Sequence, residues 1–181
     1  MKKNVVMRMT IALTFCGLLM SSFVSAQNSK DAKLIADSKN AKAAFIRSDG
    51  LMQNLFNKSY AYVVFPNIGK GAIGVGGAAG SGIVFQDGKP IGRAKMKQVT
   101  VGFQFGGQTY REVIFFENAA ALDRFKGNNF EFSAQASAVA VTKGASGNVK
   151  YSEGVMIFTQ EKKGLMYEAS IGGQKFSYSP F

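Results

Sequence analysis

Gly69-Lys70-Gly71-Ala72-Ile73-Gly74, followed by Gly76, Gly77, Gly80 and Gly82, is the stretch on which the fold turns. Its first six letters satisfy the pattern G-x-G-x-x-G, which binds dinucleotides only where a strand ends and a helix begins. The glycines that continue to Gly82 would not hold a helix, because each costs roughly 1 kcal/mol there relative to alanine. The spacing therefore predicts a glycine-rich hairpin in which missing side chains let another segment pack closely. Nucleotide binding is set aside.

C-terminal to this stretch, short apolar or aromatic runs alternate with glycine, the pattern of strands joined by tight turns. Strands are expected at Tyr62–Phe65, Ile73–Ala78, Gly82–Gln86, Met96–Phe105, Tyr110–Phe116, Phe130–Ala140, Gly154–Thr159, Leu165–Ile171 and Lys175–Tyr178. Asp87-Gly88 and Gly106-Gly107 read as hairpin turns. Between strands, Asn118 to Phe125 reads as a short helix capped by Asn118 and anchored by Leu122 and Phe125. Gly106-Gly107-Gln108-Thr109-Tyr110 is echoed by Gly172-Gly173-Gln174-Lys175-Phe176, two similar hairpin turns in one sheet rather than a repeat array.

N-terminal to it, residues 29 to about 56 are rich in Ala, Lys, Asn and Asp, and Leu34, Ser38, Ala41 and Phe45 form one stripe at helical spacing. This predicts an amphipathic helix, broken near Ser48-Asp49-Gly50 and resumed through Leu51, Met52, Leu55 and Phe56. Lys39, Lys42 and Arg47 fall outside the main stripe, facing water or an anionic surface. The expected class is α+β: a mostly antiparallel twisted β-sheet or partial barrel, an N-terminal amphipathic helix and one short internal helix.

The first 26 residues have the three regions of an export signal: Lys2, Lys3 and Arg8, an apolar run from Met9 to Met20, and small residues ending at Val24-Ser25-Ala26. That run is shorter than the roughly 20 residues of a spanning helix. The expected organisation is a signal peptide at 1–26, a helical segment at 27–57 and a glycine-rich β domain at 58–181, with 27–181 forming a single domain. Export places the protein in the periplasm or cell envelope, or outside the cell.

The single cysteine, Cys16, lies within the signal, so the mature chain has neither disulfides nor a thiolate nucleophile. The absence of histidine removes the commonest general base and the usual nitrogen ligand for zinc. No metal or cofactor is expected. A carboxylate enzyme using Glu112 or Glu117 stays open as the reading of least weight.

The signal carries three of the 22 basic residues and none of the 11 acidic ones, leaving a mature charge of +8. Such a surplus favours polyanions. Arg93, Lys95 and Lys97 alternate, so in a strand they project on one face; with Lys89 nearby they form a candidate anion patch. A solvated strand face that only keeps the protein soluble is the alternative. The alternating aromatics, such as Phe103 with Phe105 and Phe130 with Phe132, are expected to pack the core. A single-stranded nucleic-acid surface would also interleave aromatic and basic residues, but export argues against nucleic acid as a partner.

Tyr62-Val63-Val64-Phe65-Pro66-Asn67-Ile68-Gly69-Lys70-Gly71 with Gly74-Val75-Gly76-Gly77 resembles the opening of the SYLF domain, a lipid-binding family that includes yeast actin-binding members. The resemblance continues in family order through Val101-Gly102-Phe103-Gln104-Phe105-Gly106-Gly107-Gln108, Ala121-Leu122-Asp123-Arg124-Phe125 and Phe130-Glu131-Phe132-Ser133-Ala134-Gln135-Ala136-Ser137. It closes at Gly164-Leu165-Met166-Tyr167-Glu168-Ala169-Ser170-Ile171-Gly172-Gly173-Gln174. Ser81 and Gln135 depart from the family pattern, which favours a basic and an acidic residue there.

The resemblance implies a non-enzymatic domain that associates with membranes, through phosphoinositides in eukaryotic members, and a bacterial exported branch. It maps lipid binding onto the basic N-terminal segment, here Lys33, Lys39, Lys42 and Arg47, and places Lys70 at the family's lysine after the proline. Actin is not expected as a partner of an exported protein. The leading expectation is an exported protein that binds anionic phospholipid head groups or the membrane surface; the rival is an envelope structural or interaction protein that docks a protein partner on its sheet face.

Overall fold

The computed structural model describes residues 28–73, 75–101, 108–128, 130–133, 137–163, 169–170 and 172–181. The signal segment and the Gly106-Gly107 turn lie outside them. The chain divides into two compact units between Lys33 and Leu34, and the second unit, Leu34–Phe181, carries the sheet.

Helix α1 spans 28–48 and α2 spans Met52–Lys58. In the second unit the predicted stripe is the buried one, with Ser38, Ala41 and Phe45 fully or almost fully enclosed and Leu34 packed beside them. The break falls at Asp49, whose carboxylate accepts the Leu51 N–H at 3.1 Å and, from far along the chain, the Ser146 N–H at 2.9 Å and the Ser146 hydroxyl at 2.6 Å. Burial opposes ionisation of Asp49, but these bonds and one from Gly144 outweigh it and hold the carboxyl below its ordinary range.

The strands are β1 (Ala61–Ile73), β2 (Val75–Gln86), β3 (Lys89–Val101), β4 (Gln108–Phe116), β5 (Ser137–Ala140), β6 (Val155–Lys163), β7 (Ala169–Ser170) and β8 (Gln174–Pro180). They are ordered β7-β5-β6-β4-β1-β2-β3-β8, antiparallel except for the β5–β6 pair. The sheet is open, and β7 is a two-residue addition to its β5 edge. Helix α3 (Ala119–Lys126) follows β4, and a 3-10 turn at Ala145–Asn148 precedes β6.

The glycine-rich stretch is the β1–β2 hairpin, so its glycines lie inside strands and not at a strand-to-helix junction. The register of β1 shifts around Phe65-Pro66, a bulge that accommodates a proline with no N–H to give the ladder. Close approach occurs there: a Cβ on Gly82 would lie 2.5 Å from the Val64 carbonyl oxygen and 2.8 Å from the Phe65 ring, and one on Gly80 would lie 2.7 Å from Ile68. Asp87 (φ 51°) and Gly88 (φ 72°) form the two-residue turn into β3. Asn118 caps α3, its Oδ1 accepting the Ala121 N–H at 3.0 Å, and Leu122 and Phe125 are buried as the spacing predicts.

Several expected strands differ in extent. The expected Ile73–Ala78 and Gly82–Gln86 strands merge into β2, with Ile73 ending β1, because the ladder runs through the glycines between them. Phe130–Ala140 is not one strand. Around Glu131 it bonds to β8, through Phe132 N–H to Gln174 O and Phe176 N–H to Phe130 O, whereas at 137–140 it pairs with β6 at the other side of the sheet. Of Leu165–Ile171, the pair Ala169–Ser170 is β7; residues 164–168 and 171 lie outside the described residues.

One segment can reach both sides because the sheet curls. From β4 to β8 is four strand spacings, roughly 19 Å if flat, yet the Gln174 amide donates to the Glu112 carboxylate at 3.1 Å. The concave core packs Phe65, Phe116, Phe125, Phe130, Phe132 and Phe176, with ring centroids 5.4 Å apart for Phe125–Phe176 and 5.3 Å for Phe132–Phe176. The convex core lies under α1 and α2, where Phe45, Met52 and Phe56 meet Tyr62, Phe85, Phe115 and Phe158.

Candidate functional site

Strand β3 alternates sharply. Ala94, Met96 and Gln98 are buried in the concave interior, so Arg93, Lys95 and Lys97 project from the convex face, in register with Ile83, Ser81 and Ala79 of β2. Those neighbours become shorter toward Lys97, and the ammonium groups rise over a floor of small side chains. On the other flank, β8 places Ser177 opposite Lys95 and Lys175 opposite Lys97. Two lysines facing each other on adjacent strands destabilise a sheet. Glu131 offsets part of this through a 3.3 Å ion pair with Lys175. Lys95, Lys97, Val99, Glu131, Lys175 and Ser177 line a groove of about 620 Å³.

The same face collects further cations. By register, Arg111 of β4 alternates with residues of the concave core and shares the side occupied by α1, and Lys162 of β6 follows two residues after Gln160, whose amide reaches Ala44 and Ser48 of α1. Arg111 donates to Gln160 Oε1 at 2.9 Å, and Lys162 donates to Asn67 Oδ1. Burial, and after it the positive charge of Arg47, holds the Arg111 guanidinium below its ordinary pKa. Glu131, bridged in register to Lys175, is the acid that shares this face. The other acids of the strand region lie elsewhere: Glu112 in the concave interior, Glu161 of β6 paired with Tyr110, Glu117 and Asp123 around α3, Glu153 before β6.

The nine cations expected to meet an anion are thus not equivalent. Lys95 and Lys97 stand together and exposed. Arg93, in line with them, is half-buried with its guanidinium 5.9 Å from the Phe181 ring. Lys39 and Arg47 are exposed on α1, and Lys33 is exposed in the first unit. Lys42 is half-buried instead: its ammonium donates to the Tyr62 hydroxyl at 3.1 Å and sits 4.8 Å and 5.0 Å from the Phe56 and Tyr62 ring centres, a cation–π contact that joins α1 to α2 and β1. Lys89 stands at the Asp87-Gly88 turn, paired with Gln86 at the opposite end of β3 from Lys97. Lys70 pairs in register with Ala78 and Gln108; its side chain lies outside the described residues. Lys175, Arg111 and Lys162 are the additions that reading the sequence missed. Their signal is non-local, because it depends on which strands become neighbours.

The two carboxylates weighed for catalysis do not share a cleft. Glu112 is fully buried and bonded to Gln174, whereas Glu117 is exposed beyond the end of β4. Burial pushes the Glu112 carboxyl up to about 7, against a lowering by the Gln174 bond. The described residues contain no cluster of three or more acidic, histidine or cysteine side chains able to hold a metal ion, and no helix long and apolar enough to cross a membrane.

A family model described as "Ysc84: Las17-binding protein actin regulator" matches residues 97–179, from the cationic end of β3 through β8. Beta cell expansion factor A of Aeromonas veronii is 29% identical over 162 residues, covering 87% of this chain. The chain spans 61% of that relative's length. The glycine-rich hairpin, the capped helix after β4 and the Gly172-Gly173-Gln174 turn stand in their expected order on the open sheet, and these matches support membership of the SYLF family.

Proposed function

We propose that the protein is an exported, non-enzymatic lipid-binding protein that docks on anionic phospholipid through the convex face of its sheet. The observation that carries this reading is the grouping of Lys95, Lys97 and Lys175 around one groove, in line with Arg93 and with Glu131 as the acid among them. A cation near an anionic bilayer contributes about 1 kcal/mol, so a face carrying several reaches useful affinity where scattered charges would not. Lys39 and Arg47 on α1, on the same side of the sheet, add to it. The export signal puts this surface in reach of the bacterial envelope or of membranes outside the cell.

Co-sedimentation tests the reading. The protein is expected to sediment with phosphatidylcholine/phosphatidylglycerol vesicles and not with phosphatidylcholine alone, and to be released as salt rises. Lys95→Glu/Lys97→Glu is expected to abolish sedimentation, and Lys39→Glu/Arg47→Glu to weaken it. Equal binding to both vesicle types, or to neither, overturns the proposal. A second reading, docking of an envelope protein, is favoured by the small-residue floor of Gly69, Ala79 and Ser81, and the matching family model is itself described as protein-binding. Capture of one purified partner in the absence of lipid would support it.

A further inference from the structure

Resting on that reading, we infer that the protein meets the bilayer tip-first: Lys95, Lys97 and Lys175 engage the head groups, and Val99 enters the acyl boundary beyond them. Val99 is 75% exposed, the highest value among the exposed large hydrophobics. A lone exposed aliphatic residue is ordinary on a protein surface. What singles out Val99 is its place in a series. Arg93, Lys95, Lys97 and Val99 occupy successive positions on one face of β3, and Val99 lines the same groove as Lys95, Lys97 and Lys175. At about 3.3 Å per residue, Val99 stands about 7 Å beyond Lys97 along the strand. That matches the 5–10 Å to which interfacial proteins bury apolar groups below the head groups that hold their cations.

Nothing bulky on β2 blocks the approach, since Ala79 and Gly77 are in register with Lys97 and Val99. The surface thus has a cationic shelf, an exposed apolar residue beyond it and a floor of small residues. Its fixed anion is Glu131, which already holds Lys175 at 3.3 Å. A lipid phosphate arriving between Lys97 and Lys175 would compete with that carboxylate, so Glu131 limits affinity.

The sequence contains no tryptophan, so Val99→Trp makes the full chain a single-indole reporter. With phosphatidylcholine/phosphatidylglycerol vesicles its emission is expected to shift to the blue and to be quenched by bromine on the acyl chains. The comparison variant Ala120→Trp, exposed on α3, should show neither effect. Glu131→Gln is expected to tighten vesicle binding about fivefold, and Glu117→Gln, which removes an exposed acid distant from the groove, to change it less. If Val99→Trp co-sediments while its emission stays unshifted, the tip-first contact is wrong and anionic docking survives. Failure to sediment with anionic vesicles would remove both. Equal effects of the two glutamine substitutions would remove Glu131 as the competing anion.

Discussion

Glu112 sits where a carboxylate is least comfortable, fully enclosed among the aromatic rings of the concave core, with one oxygen held by Gln174 and Oε1 without a partner among the described residues. Its folded pKa of about 7 lies above the ordinary 4.5. The folded state therefore holds the proton more tightly than the unfolded chain, and the stability this provides is complete below pH 4.5 and lost as pH rises to 7. Glu112→Gln removes the ionisable group while keeping the shape, so denaturant unfolding is expected to show a more stable variant at pH about 8 and little change at pH about 4. A variant less stable than the parent at the higher pH would mean that the charge is compensated in the fold. The buried Asp49 has the opposite sign, since its depressed pKa contributes stability above the ordinary value that is lost in acid.

At the scale of elements, the glycines differ in what they do. Gly82 faces a backbone oxygen and an enclosed ring in the β1 bulge, neither of which can move aside cheaply, whereas Gly69 of the same hairpin has open space where a Cβ would stand. Gly82→Ala is expected to cost about 1–3 kcal/mol by overpacking. Gly69→Ala should stay within about 0.5 kcal/mol. Urea unfolding of the two variants separates a hairpin that needs close approach from one that only needs flexibility. The same contrast explains which elements could be read in advance. Asp87-Gly88, Asn118 and the Ser38–Ala41–Phe45 stripe act through local geometry, and each was legible in a few residues. The full length of β2 was not, because Gly76, Gly77 and Gly80 carry no apolar alternation and are strand only by virtue of the ladders on both sides. The division of 130–140 between β8 and β6 was hidden for a related reason: it follows from the curl of the whole sheet.

Across the whole molecule, concentrating cations on one face has a cost that the free protein bears. Lys97 faces Lys175, and Arg47 lies close enough to bias Arg111. Half of this arrangement was visible in the alternation of Arg93, Lys95 and Lys97. The other half awaited the pairing of β3 with β8 and of β4 with β6. If the face exists to receive an anionic surface, its self-repulsion should be relieved by anything that neutralises it. Lys97→Gln is therefore expected to raise the melting temperature of the free protein at low ionic strength, with the gain shrinking as salt screens the pair. The same substitution should weaken binding to phosphatidylglycerol-containing vesicles about fivefold, the loss of one cation from the contact. Thermal unfolding at low and high salt, set beside co-sedimentation, reads both effects from one variant. Opposite signs for stability and binding are the signature of a surface whose charge is held for a partner; a variant that loses stability at low salt would show instead that Lys97 serves the fold.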